Sequence, residues 1–286
     1  MTAPPIHQAD FWLPSPALRG LVSGYHRYVV DPGEGQRHRD LFYPAWGNLR
    51  FHRAVGPWRV TIGQRRFDPV PAAALFGPTS HASDSDSAAG VMIGVGLTPL
   101  GWSRLVGTPA DAVADAIVPA EPRLPSALAV GDALLDGADV APTLDAFLLA
   151  RAAPPRRDDP LIEAIHRALL DRDPVSVDAL AAELGLSTRT LQRLARGAFG
   201  FAPKLLLRRT RFLRSLTAVA AAPEASWATR IDPAYHDLPH FIRDSHQFLG
   251  MTPGEFLRLR KPLNDASSKR REEVLGAPAQ ALHTPS

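Results

Sequence analysis

The stretch from Ser176 to Ala221 constrains this chain most. Val177, Leu180, Ala181 and Leu184 recur at helical spacing. Gly185 then offers the left-handed backbone that a tight turn needs. Ser187 follows as an N-cap, with Thr190 at the third helical position. A second helix is expected from Thr188 to about Ala198, burying Leu191 and Leu194. Helix, glycine turn and capped helix together spell a helix-turn-helix.

The charges say what the second helix can meet. No acidic residue occurs between Glu183 and Glu224, while Arg189, Arg193, Arg196, Lys204, Arg208, Arg209, Arg211 and Arg214 all fall in that window. Arg189, Gln192, Arg193 and Arg196 are three or four residues apart, so they share the face opposite Leu191 and Leu194. Arg and Gln make bidentate bonds to guanine and adenine edges in the major groove. A basic, acid-free surface suits a polyanion, because each neutralised phosphate releases counterions. Arg189, Gln192 and Arg193 are the expected base readers and Thr188 a further DNA contact, with Arg196 and Lys204 better placed for the backbone. The plain alternative for any one of these residues is a solvated helical face.

Net charge is uneven along the chain. Residues 1–155 hold 12 Lys+Arg against 14 Asp+Glu, whereas residues 156–261 hold 17 against 12. The positive field therefore sits with the motif. The chain's 286 residues suggest two domains, each with its own core. The absence of cysteine excludes disulfides, thiolate zinc sites and cysteine nucleophiles. No apolar run reaches the ~18 residues of a membrane span, and no basic-then-apolar leader opens the sequence. A cytoplasmic location is expected.

Residues 1–155 alternate short apolar, β-branched segments with Gly, Pro and Asp turns, the pattern of a β-rich sandwich or barrel. From about Pro99 the texture turns helical, until Ala152 to Arg157 reads as a short linker. The fold class expected is α+β: a β-rich domain with trailing helices, then an all-α domain with two helix-turn-helix units. Residues 262–286 are polar and Pro-bounded and read as a disordered tail. No enzyme is visible. His26, His38, His52 and His81 lack the His-x-His of a cupin metal site. Ser80, His81, Asp84 and Asp86 crowd one Ser/Asp stretch that reads as a solvated loop and lacks the separated supports of a triad. Gly94 and Gly96 are too short a pattern for a dinucleotide fingerprint. No cofactor and no metal are expected; the His236 and His240 pair has Asp237 and Pro239 between its members, which does not suit zinc.

Two separate phrases carry a family resemblance. LAAELGLSTRTLQRLARGAFGFAPKLLLRRTRF, within 180–212, and YHDLPHFIRDSHQFLGMTPGEFLRL, 235–259, resemble the two halves of the DNA-binding domain of AraC-type transcription regulators, over about 159–260. Phe42-Tyr43-Pro44, Leu75-Phe76-Gly77-Pro78 and Pro99 to Trp102 resemble the N-terminal domain of one AraC-type subgroup. The resemblance implies duplex DNA as partner, with a second unit from about Ala225 in which His240 reaches a phosphate and Arg243 a base. For residues 1–155 it implies a small effector or a second copy as partner, and RNA polymerase if the protein activates. The second unit departs from the pattern: Arg230 stands at a usual Ala, Ala234 at a usual Gly, Pro233 lies in the turn, and Ser245 replaces a core aromatic. Those departures favour a rival, an eroded regulator that binds protein rather than DNA.

Overall fold

A computed structural model of the chain describes residues 6–171, 176–222, 227–235 and 237–284. The first half is a sandwich of two antiparallel sheets rather than a closed barrel. One sheet has six strands, β1 (Ile6–Trp12), β2 (Val22–Asp31), β9 (Gly90–Leu97), β4 (Asn48–Ala54), β7 (Ala73–Phe76) and β10 (Ile117–Pro119), in that spatial order. The other has four, β3 (His38–Phe42), β8 (Ser83–Ser87), β5 (Arg59–Ile62) and β6 (Arg65–Phe67). Alternation along β4 sets the two faces of the large sheet. Leu49 and Phe51 are buried on one face, where Gly131 of α2 (Ala127–Leu135) lets that helix approach Phe51. Asn48, Arg50 and His52 point into the sandwich; His52 meets Trp58 with ring centroids 4.8 Å apart.

The Ser/Asp stretch is not a loop. It forms β8, the strand between β3 and β5. Asp84 pairs with Arg39 at 2.9 Å, and Asp86 pairs with Arg37 at 2.6 Å and Arg59 at 3.6 Å, a cross-strand charge ladder that lets so polar a segment lie in a sheet.

Helices cover the outer face of the large sheet. They are α1 (Pro99–Gly101), which continues as a wider turn to Val106, then α2 and α3 (Val140–Leu149). The second half follows as α4 (Asp159–Asp171), α5 (Val177–Glu183), α6 (Thr188–Phe199), α7 (Pro203–Ala221), α8 (Leu238–Leu249) and α9 (Pro253–Arg258). Instead of two separate cores, one apolar cluster runs from Leu18 through Trp46, Leu191 and Phe199 to Phe256. Trp46 stacks edge-on against both Phe199 and His166, at 5.5 and 5.6 Å. Arg209 of α7 is fully buried at the same junction. Its guanidinium lies 4.0 Å from the Trp46 ring and donates to the Thr79 carbonyl at 2.7 Å.

The chain's end differs from the expected disordered tail. Pro262–Leu275 forms a helix, α10, packed across β1 and β3. Leu263, Asn264, Ser267, Arg271 and Leu275 are buried. Asp40 accepts from the Leu263 amide at 2.8 Å and caps the helix start, and the Tyr28 and Ser267 hydroxyls share a 2.6 Å hydrogen bond. Beyond α10, Gln280 bonds Asn48 at 2.8 Å, and Ala281 is buried. The helix was hard to foresee because its buried face mixes polar and apolar residues.

Burial pushes His166 down to about 3, first by desolvation and then by neighbouring His283, Arg209 and Arg167. It therefore folds neutral. The unfolded chain takes up this proton below the ordinary histidine range, so stability is complete above about pH 6.5 and falls as pH drops toward 3. His166→Phe keeps the ring packing and should flatten acid denaturation by about 1.4 kcal/mol per pH unit between pH 6 and 4. Urea melts at several pH values check this; an unchanged slope would contradict a neutral buried imidazole.

Candidate nucleic-acid interface

Local chemistry builds the first unit as the sequence implies. Ser176 caps α5 by accepting from the Ala179 amide at 3.1 Å. Gly185 makes the turn with φ +63°. Ser187 accepts from the Thr190 amide at 3.2 Å and fixes the start of α6. Gly200 ends it in the left-handed conformation. Twelve residues give α6 a length of about 18 Å. Leu191, Leu194, Ala195, Ala198 and Phe199 are buried and hold it down. Thr188, Arg189, Gln192, Arg193 and Arg196 are all exposed. The structure thus brings the five expected contact residues of this helix onto one outward face.

That face is not wholly unengaged. Arg193 donates to Asp158 at 2.9 Å, across a cleft of about 500 Å³ between α6 and the start of α4. The guanidinium keeps 61% of its exposure and the carboxylate 37%. An exposed pair of this kind is worth roughly 0–1 kcal/mol, less than a bidentate bond to guanine at ~1–3 kcal/mol. The side chains of Arg189, Gln192 and Arg196 have no hydrogen bond or ion pair to another described residue.

Farther along, the acid-free window is neutralised from outside. Arg208 donates to Asp244 and, at 2.7 Å, to Gln247, tying α7 to α8. Tyr235 donates to the same buried Asp244 at 2.9 Å, so that carboxylate anchors two elements. Arg214 reaches Asp232 at 3.1 Å and the Leu170 carbonyl at 3.2 Å. Arg209 is inside the core. These arginines hold the domain together and leave Lys204, exposed in the first turn of α7, as the outward charge there. Sequence reading missed the Asp244 anchor, though Asp244 sits in the same helical stripe as Phe241 and Phe248, which was the available signal.

In the second unit Asp237 caps α8, accepting from the His240 amide at 2.8 Å. Thr252 and Glu255 form a reciprocal capping box at α9. Arg243 and Leu238 are exposed. The His240 ring is half-buried edge-on to Tyr235 at 5.0 Å. Ahead of α8, the helical turn among the described residues is the single one at Trp227–Thr229. Ser245 is buried and donates to the Met251 carbonyl at 2.7 Å, so a hydrogen bond occupies the usual aromatic position. The start expected near Ala225, and the His236 of the histidine pair, lie outside the described residues. Among the described residues no group of three metal-ligating side chains occurs, and no helix is long and apolar enough to cross a membrane.

One capped helix pair with its basic face turned outward, joined by a long helix to a second capped helix preceded by a single described turn, has the layout of a helix-turn-helix domain of the DNA-binding class. Residues 180–259 match the family model of a helix-turn-helix domain, and this region is an AraC-type DNA-binding domain. A comparison with curated proteins finds no match. Among solved structures the chain is similar to ToxT from Vibrio cholerae O395, at 11% identity and TM-score 0.44, covering 88% of this chain and 96% of that one. It is also similar to the unsaturated-fatty-acid-bound wild-type ToxT from Vibrio cholerae strain SCE256, at 10% identity and TM-score 0.42, covering 78% and 95%. The AraC-like transcriptional activator CuxR matches at 16% identity and TM-score 0.30, covering 72% and 86%. The helix-turn-helix domain supports a DNA-binding transcription regulator.

Asp158→Ala should change folding stability by less than about 1 kcal/mol and tighten DNA binding several-fold by releasing Arg193. Titration of a labelled duplex measures it; weaker binding would show that the pair positions the guanidinium rather than restrains it.

Proposed function

We propose that the protein recognises a specific DNA sequence by laying α6 in the major groove. The observation that carries this is the outward row Thr188, Arg189, Gln192, Arg193 and Arg196 on a helix pinned by its own apolar stripe. Arg189, Gln192 and Arg193 read base edges, and Thr188, Arg196 and Lys204 hold the backbone. Arg243 gives the second unit a weaker hold, and His240, turned toward Tyr235, can reach a phosphate only by leaving that ring. Residues 156–261 act as the DNA-binding unit and residues 1–155 as the unit that takes a small effector or a second copy. Its place of action is the cytoplasm, with RNA polymerase as a further partner if it activates. No catalytic step is assigned to it.

Binding sites selected from a random duplex pool give the test. Arg193→Ala should cost ~1–3 kcal/mol at one base position and spare the others. Arg196→Ala and Lys204→Ala should weaken all sequences alike and reduce the salt slope by about one each. Because a single helical turn braces the second unit among the described residues, Arg243→Ala should relax specificity less than Arg189→Ala. No selection of any sequence, with binding equally weak at two salt concentrations, would favour the protein-interaction reading.

A further inference from the structure

Inside the sandwich, a cavity lies between β2, β4 and α10. Two arginines border it from opposite sides, Arg50 from β4 and Arg271 from α10. No aspartate or glutamate lines it. Arg50 lies 4.4 Å over the Phe76 ring, and its buried Nε has no hydrogen-bond partner. It forms no ion pair with a described carboxylate. Arg271 is buried too, and donates only to carbonyls, Ala277 at 2.7 Å and Ser23 at 3.5 Å. Burial lowers the pKa of both guanidiniums. The buried His26 faces the same space with its Nε2 unpartnered, and is held neutral by desolvation first and by these two cations next. Asp40 is near but committed. It accepts from the Leu41, Leu263 and Asn264 amides and pairs with His38 at 3.2 Å.

Two desolvated cations without a counter-ion are costly to a fold. A guanidinium is a planar fork matched to a carboxylate. Gly96 on its wall leaves room for the Ser23 and Gln280 side chains, as Gly94 does for His26, so these polar groups can sit close to the sheet. The cavity has about 70 Å³ of room, enough for a handful of non-hydrogen atoms at ~10–15 Å³ for each water-sized group. Phe11, Phe42 and Leu275 make part of its wall apolar.

We propose that this cavity binds a small organic carboxylate, whose head bridges Arg50 and Arg271 and whose short apolar body lies against Phe11 and Phe42. The proposal rests on the reading that residues 1–155 take an effector, and adds that the C-terminal helix supplies half of the site. Since α10 follows α9 within four residues, the bound acid would fasten the exit of the second helix-turn-helix unit to the sandwich.

The test uses the full chain without DNA. Its melting temperature is measured with propionate or butyrate, against butyramide, inorganic phosphate and sodium chloride at matched ionic strength. A saturable rise of about 3 °C or more with an acid, absent with butyramide, is expected. Amide exchange across 262–284 should slow with it. Arg50→Met should raise the melting temperature of the acid-free protein, because it removes an uncompensated buried charge, and should abolish the response. Arg271→Met should also abolish it. Equal shifts with butyramide, a shift with phosphate alone, no shift with either acid, or an undiminished response in Arg50→Met would each overturn the proposal. A neutral ligand that raises the melting temperature where both acids fail would sink this site's chemistry and leave the effector reading standing.

Discussion

Everything outward about α6 depends on what is inward. Leu191, Leu194, Ala195, Ala198 and Phe199 bury one side of a three-turn helix, and Phe199 locks against Trp46 of the sandwich. Burying those side chains contributes on the order of 1.5–3 kcal/mol for each large one. With that side committed, helical geometry leaves the guanidiniums one place to go. The basic face is therefore not an accident of composition. It is the complement of a core that runs through both halves.

The same junction couples the halves. Arg209 and His166 occupy it without carboxylate partners, one bonded to a carbonyl and one stacked on aromatic rings. A continuous core transmits displacement because it is close-packed. A change in the sandwich at Trp46, Thr79 or Pro78 thus bears directly on the end of α6, where Gly200 lies against Pro78. Charges are shared out along the same line. Asp158, Asp232 and Asp244 answer arginines in a window that contains no acid of its own.

Legibility in the sequence followed how local the physics was. The cap at Ser187 needs only a few consecutive residues and was visible, and those at Ser176, Asp237 and Thr252 are equally local. So was the outward face of α6, set by a 3.6-residue period. Arg209 was not, since nothing in a linear run of arginines marks the one that meets Trp46 across more than 160 positions. β8 and α10 were misread for a related reason: their buried or paired positions are polar, stabilised by partners distant in sequence such as Arg39 and Asp40. Gly94 and Gly96, too short a pattern for a nucleotide motif, make room for the His26 and Gln280 side chains.

Methylation interference on the selected duplex bears most directly on the central claim, that the exposed arginines of α6 read bases. Methyl groups at guanine N7 lie in the major groove and those at adenine N3 in the minor groove. The account requires that guanine N7 methylation at one or two positions blocks binding, and that the block at one of them vanishes in Arg193→Ala. Interference confined to adenine N3, or a guanine pattern indifferent to Arg189 and Arg193, would contradict it.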